Sequence, residues 1–101
     1  MSVLETLLCE TLRLMRIDTK GADSLLCALN NCKCSGIVGA MEVRAFANYG
    51  FPLIQIYATI KGIPTNEAAE IFKSNRVTYE DLVCIIGIFA QDIKLRSQYG
   101  R

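Results

Sequence analysis

The chain has 101 residues, 51% of them hydrophobic and 21% charged, with a formal net charge of +1. That length holds one modest core, and the composition belongs to a folded globular chain and not to a disordered one. The near-zero charge excludes a strongly basic nucleic-acid footprint, and the lack of any histidine removes the commonest general base, metal ligand and pH switch together.

Ser2 followed by Glu5 and an apolar run has the form of a capping box. Leu4, Leu7, Leu8, Leu12 and Met15 then repeat at helical spacing, with Arg13 and Arg16 in the last turn and Thr19, Lys20 and Gly21 as the stop. This segment lacks the basic first region of a signal peptide, and acids interrupt its apolar residues. The five cysteines are therefore expected to be reduced thiols in a cytoplasmic protein.

A second helix is expected over Ala22–Cys32, starting near Asp23 and Ser24, and a third over Ile37–Tyr49, weakened at Gly39. Gly50 suits a C-cap and Pro52 the first turn of a fourth helix reaching Lys61. Ile54, Ile56, Tyr57, Thr59 and Ile60 make a strand the competitor there. Gly62, Ile63 and Pro64 form a stop, and Thr65 reads as the N-cap of Asn66–Lys73. After a turn at Ser74, Asn75 and Arg76, Thr78 caps a long last helix running to about Arg96, with Gly100 just past its end. The fold class is all-α: a single domain over 1–101, a compact bundle of five to six short helices with a long C-terminal helix. The strongly apolar run Leu82–Ala90 is too short to span a bilayer, so no membrane partner is expected.

The segment from Lys61 to Ile93 carries the functional expectations. Its short helix, polar turn and longer helix, with Gly62, Glu67-Ala68-Ala69-Glu70, Phe72 and Val77 to Leu82, resemble the tri-helical helix-turn-helix cores of small bacterial transcriptional regulators. The resemblance covers the C-terminal half and implies a dimeric DNA-binding regulator of transcription. Ser74, Asn75, Arg76, Thr78 and Tyr79 would then approach the bases of double-stranded DNA, with Lys61, Lys73 and Lys94 on phosphates. The pattern departs from that family where a turn glycine is usual, at Lys73 or Ser74, and Glu80 and Asp81 would face phosphates unfavourably.

Tyr79, Leu82, Ile86, Phe89 and Ile93 recur as a heptad seam, so this helix is either the central helix of the bundle or is buried in part by a second copy, with Leu82, Ile86, Phe89 and Ile93 as the expected homodimer interface. The alternative is a helical protein-interaction module, an inhibitor, chaperone or adaptor, that receives a helical partner on an apolar surface and binds no DNA. Cys27, Cys32 and Cys34, spaced C-x4-C-x-C, lack the paired C-x2-C spacing of structural zinc sites, so neither metal nor cofactor is expected. With no phosphate-binding glycine loop and no imidazole beside a cysteine, no catalytic residue stands out and an enzyme is not expected.

Overall fold

Among the described residues six helices follow one another in the order α1 (Val3–Leu14), α2 (Thr19–Ser35), α3 (Ala40–Asn48), α4 (Leu53–Lys61), α5 (Thr65–Lys73) and α6 (Tyr79–Tyr99). The structure, a computed structural model, describes residues 3–99, with the backbone alone at position 99. Ser2 and Gly100, expected as a cap and a stop, lie outside the described residues. Among those described there is no strand, only an isolated antiparallel bridge between Ile37 and Thr78. The fold is the expected all-α bundle with a long C-terminal helix, and Leu53–Lys61 is helix, not strand.

Local chemistry explains most boundaries, including those the residue pattern misplaces. Thr19-Lys20-Gly21 is the first turn of α2 and not a stop. Asp18 is the N-cap, and its carboxylate accepts the Gly21 amide at 2.8 Å. The glycine serves packing: a Cβ on Gly21 would lie 2.7 Å from both Ile17 and Tyr49. α1 accordingly ends at Leu14, and Arg16 turns the chain with φ +61°. α2 continues to Ser35 and ends on Gly36, whose φ of 81° suits a residue without a Cβ. Gly39 is not inside α3 but is its N-cap, its amide donating to the Glu42 carboxylate at 3.3 Å. Gly62 closes α4 in the left-handed region. α5 starts at Thr65 itself, with Pro64 as the flanking residue and no side-chain cap. The left-handed turn residue after α5 is Asn75, φ 58°, and neither Lys73 nor Ser74.

α6 is the element around which the others collect. α1 and α4 pack against it, and α2 with α3 and α4 with α5 form flanking helix pairs. Leu82, Ile85 and Ile86 are fully buried, and Phe89 and Ala90 nearly so. They meet Leu8 and Leu12 of α1 and Leu25 and Leu29 of α2 in one apolar cluster. Burying each such Leu, Ile or Phe side chain contributes about 1.5–3 kcal/mol relative to leaving it in water. Phe51, in the turn between α3 and α4, plugs the bundle. Its ring sits 5.1 Å from that of Phe46, edge to face, and 4.2 Å from that of Phe89. Tyr57 and Phe72, 5.3 Å apart edge to face, lock α4 to α5. The one buried polar residue among those described, Thr11, donates to the Leu7 carbonyl at 2.8 Å. Among the described residues no helix is long and apolar enough to cross a membrane.

The two sides of α6 give opposite expectations for truncation. Ile86→Ala is expected to cost about 2–5 kcal/mol of stability in urea unfolding, whereas Ile88→Ala should cost under about 1 kcal/mol. Equal losses at the two positions would contradict this orientation of α6.

Candidate functional site

The α5–α6 turn is built chiefly from backbone bonds. The amides of Ser74, Asn75 and Arg76 donate to the carbonyls of Glu70, Phe72 and Ile71. The Ser74 hydroxyl donates to the Ile71 carbonyl at 3.0 Å and accepts the Arg76 Nε–H at 2.9 Å. Val77 is fully buried and pins the turn to the core. Its carbonyl accepts the Val38 amide, and the Tyr79 amide donates to the Gly36 carbonyl, each at 2.9 Å. These two bonds strap the turn to the α2–α3 connection. Thr78 and Asp81 then cap α6 reciprocally: the Asp81 amide donates to Thr78 Oγ1 at 3.2 Å, and the Thr78 amide donates to the Asp81 carboxylate at 3.1 Å.

Of the residues expected to meet DNA, Lys73, Ser74, Asn75, Arg76 and Thr78 are therefore neighbours, and all are exposed. Tyr79 is half-buried against the core. Lys61 lies elsewhere, at the other end of the α4–α5 hairpin, its ammonium 5.6 Å from the Tyr57 ring centroid. Thr78 to Lys94 covers ~24 Å along the axis of α6 at 1.5 Å per residue. Lys94 thus stands far from the turn, beside Arg13 of α1. Lys73 pairs with Glu70 at 3.8 Å and Arg96 with Asp92 at 3.1 Å. The cations do not line one face. α5 packs chiefly on α4, and α6 along α1 and α4.

The expected dimer seam requires correction. Leu82 and Ile86 are 0% exposed and Phe89 is 9% exposed, while Ile93 packs against the same cluster. The heptad spacing is real, but the face it marks is turned into the protomer's own core, where α1 and α4 pack against α6. It is not available to a second copy.

The residue pattern alone missed a groove where α3, α4 and α5 meet. Ala40 and Val43 of α3, Ile54 of α4, and Ala69 and Phe72 of α5 line it, together with the two cations Arg44 and Lys73. Its volume is about 260 Å³, below the range of about 300–1,000 Å³ typical of small-molecule sites and suited to one or two side chains. Met41, 79% exposed, projects from the same stretch of α3. The small residues Ala40 and Ala69 leave the opening, and Phe72 gives it an aromatic wall. The signal for it was the exposed apolar face of α3, which no single-helix periodicity connects to α5.

The cysteines are dispersed by the helix on which they lie. Cys27 and Cys34 sit on the exposed face of α2, seven residues apart, which is ~10 Å along the axis. Cys32 points into the core and is 0% exposed. Burial pushes its thiol up to about 11, the neighbouring Glu42 adds to the rise, and a backbone hydrogen bond from Gly39 opposes it. Among the described residues no three His, Cys, Asp or Glu are grouped to hold a metal. Comparison of the chain with protein families, with curated proteins and with solved structures gives no match.

A thiol whose ionisation is suppressed in the fold holds its proton longer than in the unfolded chain. Folding is then favoured below the ordinary thiol value of 9.0 and loses that contribution as pH rises toward 11. Unfolding of the wild type should show a loss of about 2 kcal/mol between those limits that Cys32→Ala lacks. Identical pH slopes would contradict the buried placement of this thiol.

Proposed function

We propose that this protein is a helical protein-interaction module whose α3–α4–α5 groove receives an apolar side chain from an amphipathic segment bearing carboxylates. The observation that supports this reading is the lining of the groove: five apolar side chains from three helices, with Arg44 and Lys73 as its charged members. An apolar floor favours a buried anchor residue, and cations beside it favour acids on either flank of that anchor. Lys73 is engaged only by Glu70 at 3.8 Å, with both side chains well exposed. Such a pair is weak in water and costs little to exchange for an acid of a partner. A helix-turn-helix reading of DNA has less support, because Lys61, Arg76 and Lys94 stand at three separate places. DNA affinity rests on phosphate contacts made together by clustered cations.

The test is an NMR titration with a synthetic amphipathic peptide that carries a leucine anchor flanked by glutamates. Amides of Val43, Ile54, Ala69 and Phe72 are expected to shift and saturate. The double variant Arg44→Glu, Lys73→Glu is expected to weaken binding roughly tenfold, with less effect in high salt. A peptide that leaves the groove amides unmoved would contradict the proposal. So would salt-sensitive binding of mixed duplex DNA that is lost in Arg76→Ala, which would return the α5–α6 turn to a DNA-reading role.

A further inference from the structure

The outer face of α6 has no partner helix among the described residues. Val83, Cys84, Gly87, Ile88, Gln91 and Leu95 lie along it, with Lys94 at its edge toward Glu10 and Arg13 of α1, and all but the partly exposed Gly87 are exposed. Ile88 is 49% exposed and Leu95 47%, an apolar character that solvent alone does not favour. Gly87 sits in the middle of a helix of 21 residues, where glycine is disfavoured. Nothing in the protomer asks for it, since a Cβ built there meets no atom within 4 Å. A glycine on an open helix face allows another helix backbone to come close.

The charges on this face are arranged about that glycine. Glu80 stands seven residues before Gly87 and Lys94 seven after, so heptad spacing puts all three on one line along the helix. Each charge is then ~10 Å from the glycine along the axis. The ion pairs Lys73–Glu70 and Arg96–Asp92 involve neither of them. An antiparallel copy of the same helix, crossing at Gly87, brings Lys94 of one chain opposite Glu80 of the other at both ends of the contact. The opposed helix dipoles favour the same arrangement. An isologous two-fold contact of this kind is self-complementary by construction.

We propose that the outer face of α6 is the contact between two copies of this chain, antiparallel and crossing at Gly87, with reciprocal Glu80–Lys94 pairs. Ile88 of each copy packs beside the crossing point, and Val83 and Gln91 flank it. This surface is separate from the α3–α4–α5 groove and does not depend on what the groove binds.

Sedimentation equilibrium of the full chain tests the proposal, with thermal unfolding of each variant as a control for folding. The wild type is expected to dimerise. Glu80→Lys and Lys94→Glu should each raise the dimer dissociation constant about tenfold or more, and the combined exchange should return it to within about threefold of wild type. Gly87→Ala supplies a second readout with opposite signs: a higher melting temperature at concentrations where the chain is monomeric, and a weaker dimer. A wild type that stays monomeric at several hundred micromolar would overturn the proposal, as would single charge reversals that leave the dimer unchanged. A double exchange no better than the single ones would overturn the antiparallel register.

Discussion

A helix with apolar residues over most of its circumference must be covered, and only about eighty other residues are present to cover it. That requirement on α6 organises the molecule. The stripe carrying Leu82, Ile85, Ile86 and Phe89 takes up α1, α4 and the ring of Phe51. What remains of the circumference is the outer face around Gly87, which none of the described helices covers.

The α5–α6 turn shows how the rest of the fold depends on where α6 begins. Thr78 and Asp81 satisfy the first amides of the helix, and Val77 is buried immediately before them. The backbone bonds from Val38 and Tyr79 tie this start to the α2–α3 connection. α3 is thereby held in place against α2 and α4, and α5 is held by Tyr57 and Phe72. The groove between α3, α4 and α5 is bounded by α3, which is tied to the α6 start, and by α5, which is held on α4. Its shape is therefore a property of the rigid frame.

Much of this frame was legible in the residues. The helical spacing of the leucines in α1, the stop at Gly62 and the Thr78 cap each have a local cause, and each is found where the pattern puts it. Features whose cause is tertiary were not. Gly21 reads as a helix breaker until Ile17 and Tyr49 are seen against it. Gly39 weakens a helix on paper and caps one in space. The Tyr79–Ile93 heptad marks a face that packs against other residues but not which ones, because spacing cannot distinguish a neighbouring helix of the same chain from a second chain. The groove had no local signature, since its walls come from three helices that only packing brings together.

Native-state hydrogen exchange tests the central claim most directly, that the start of α6 and the α2–α3 connection are one rigid unit. The amides of Val38 and Tyr79 lie outside or at the very edge of helices, where amides ordinarily exchange through local fraying. If the two connections are strapped together and sealed by Val77, these two amides should exchange as slowly as those of Ile85 and Ile86, through global unfolding. Exchange at the rate of ordinary exposed-loop amides, with Ile85 and Ile86 still protected, would contradict the account.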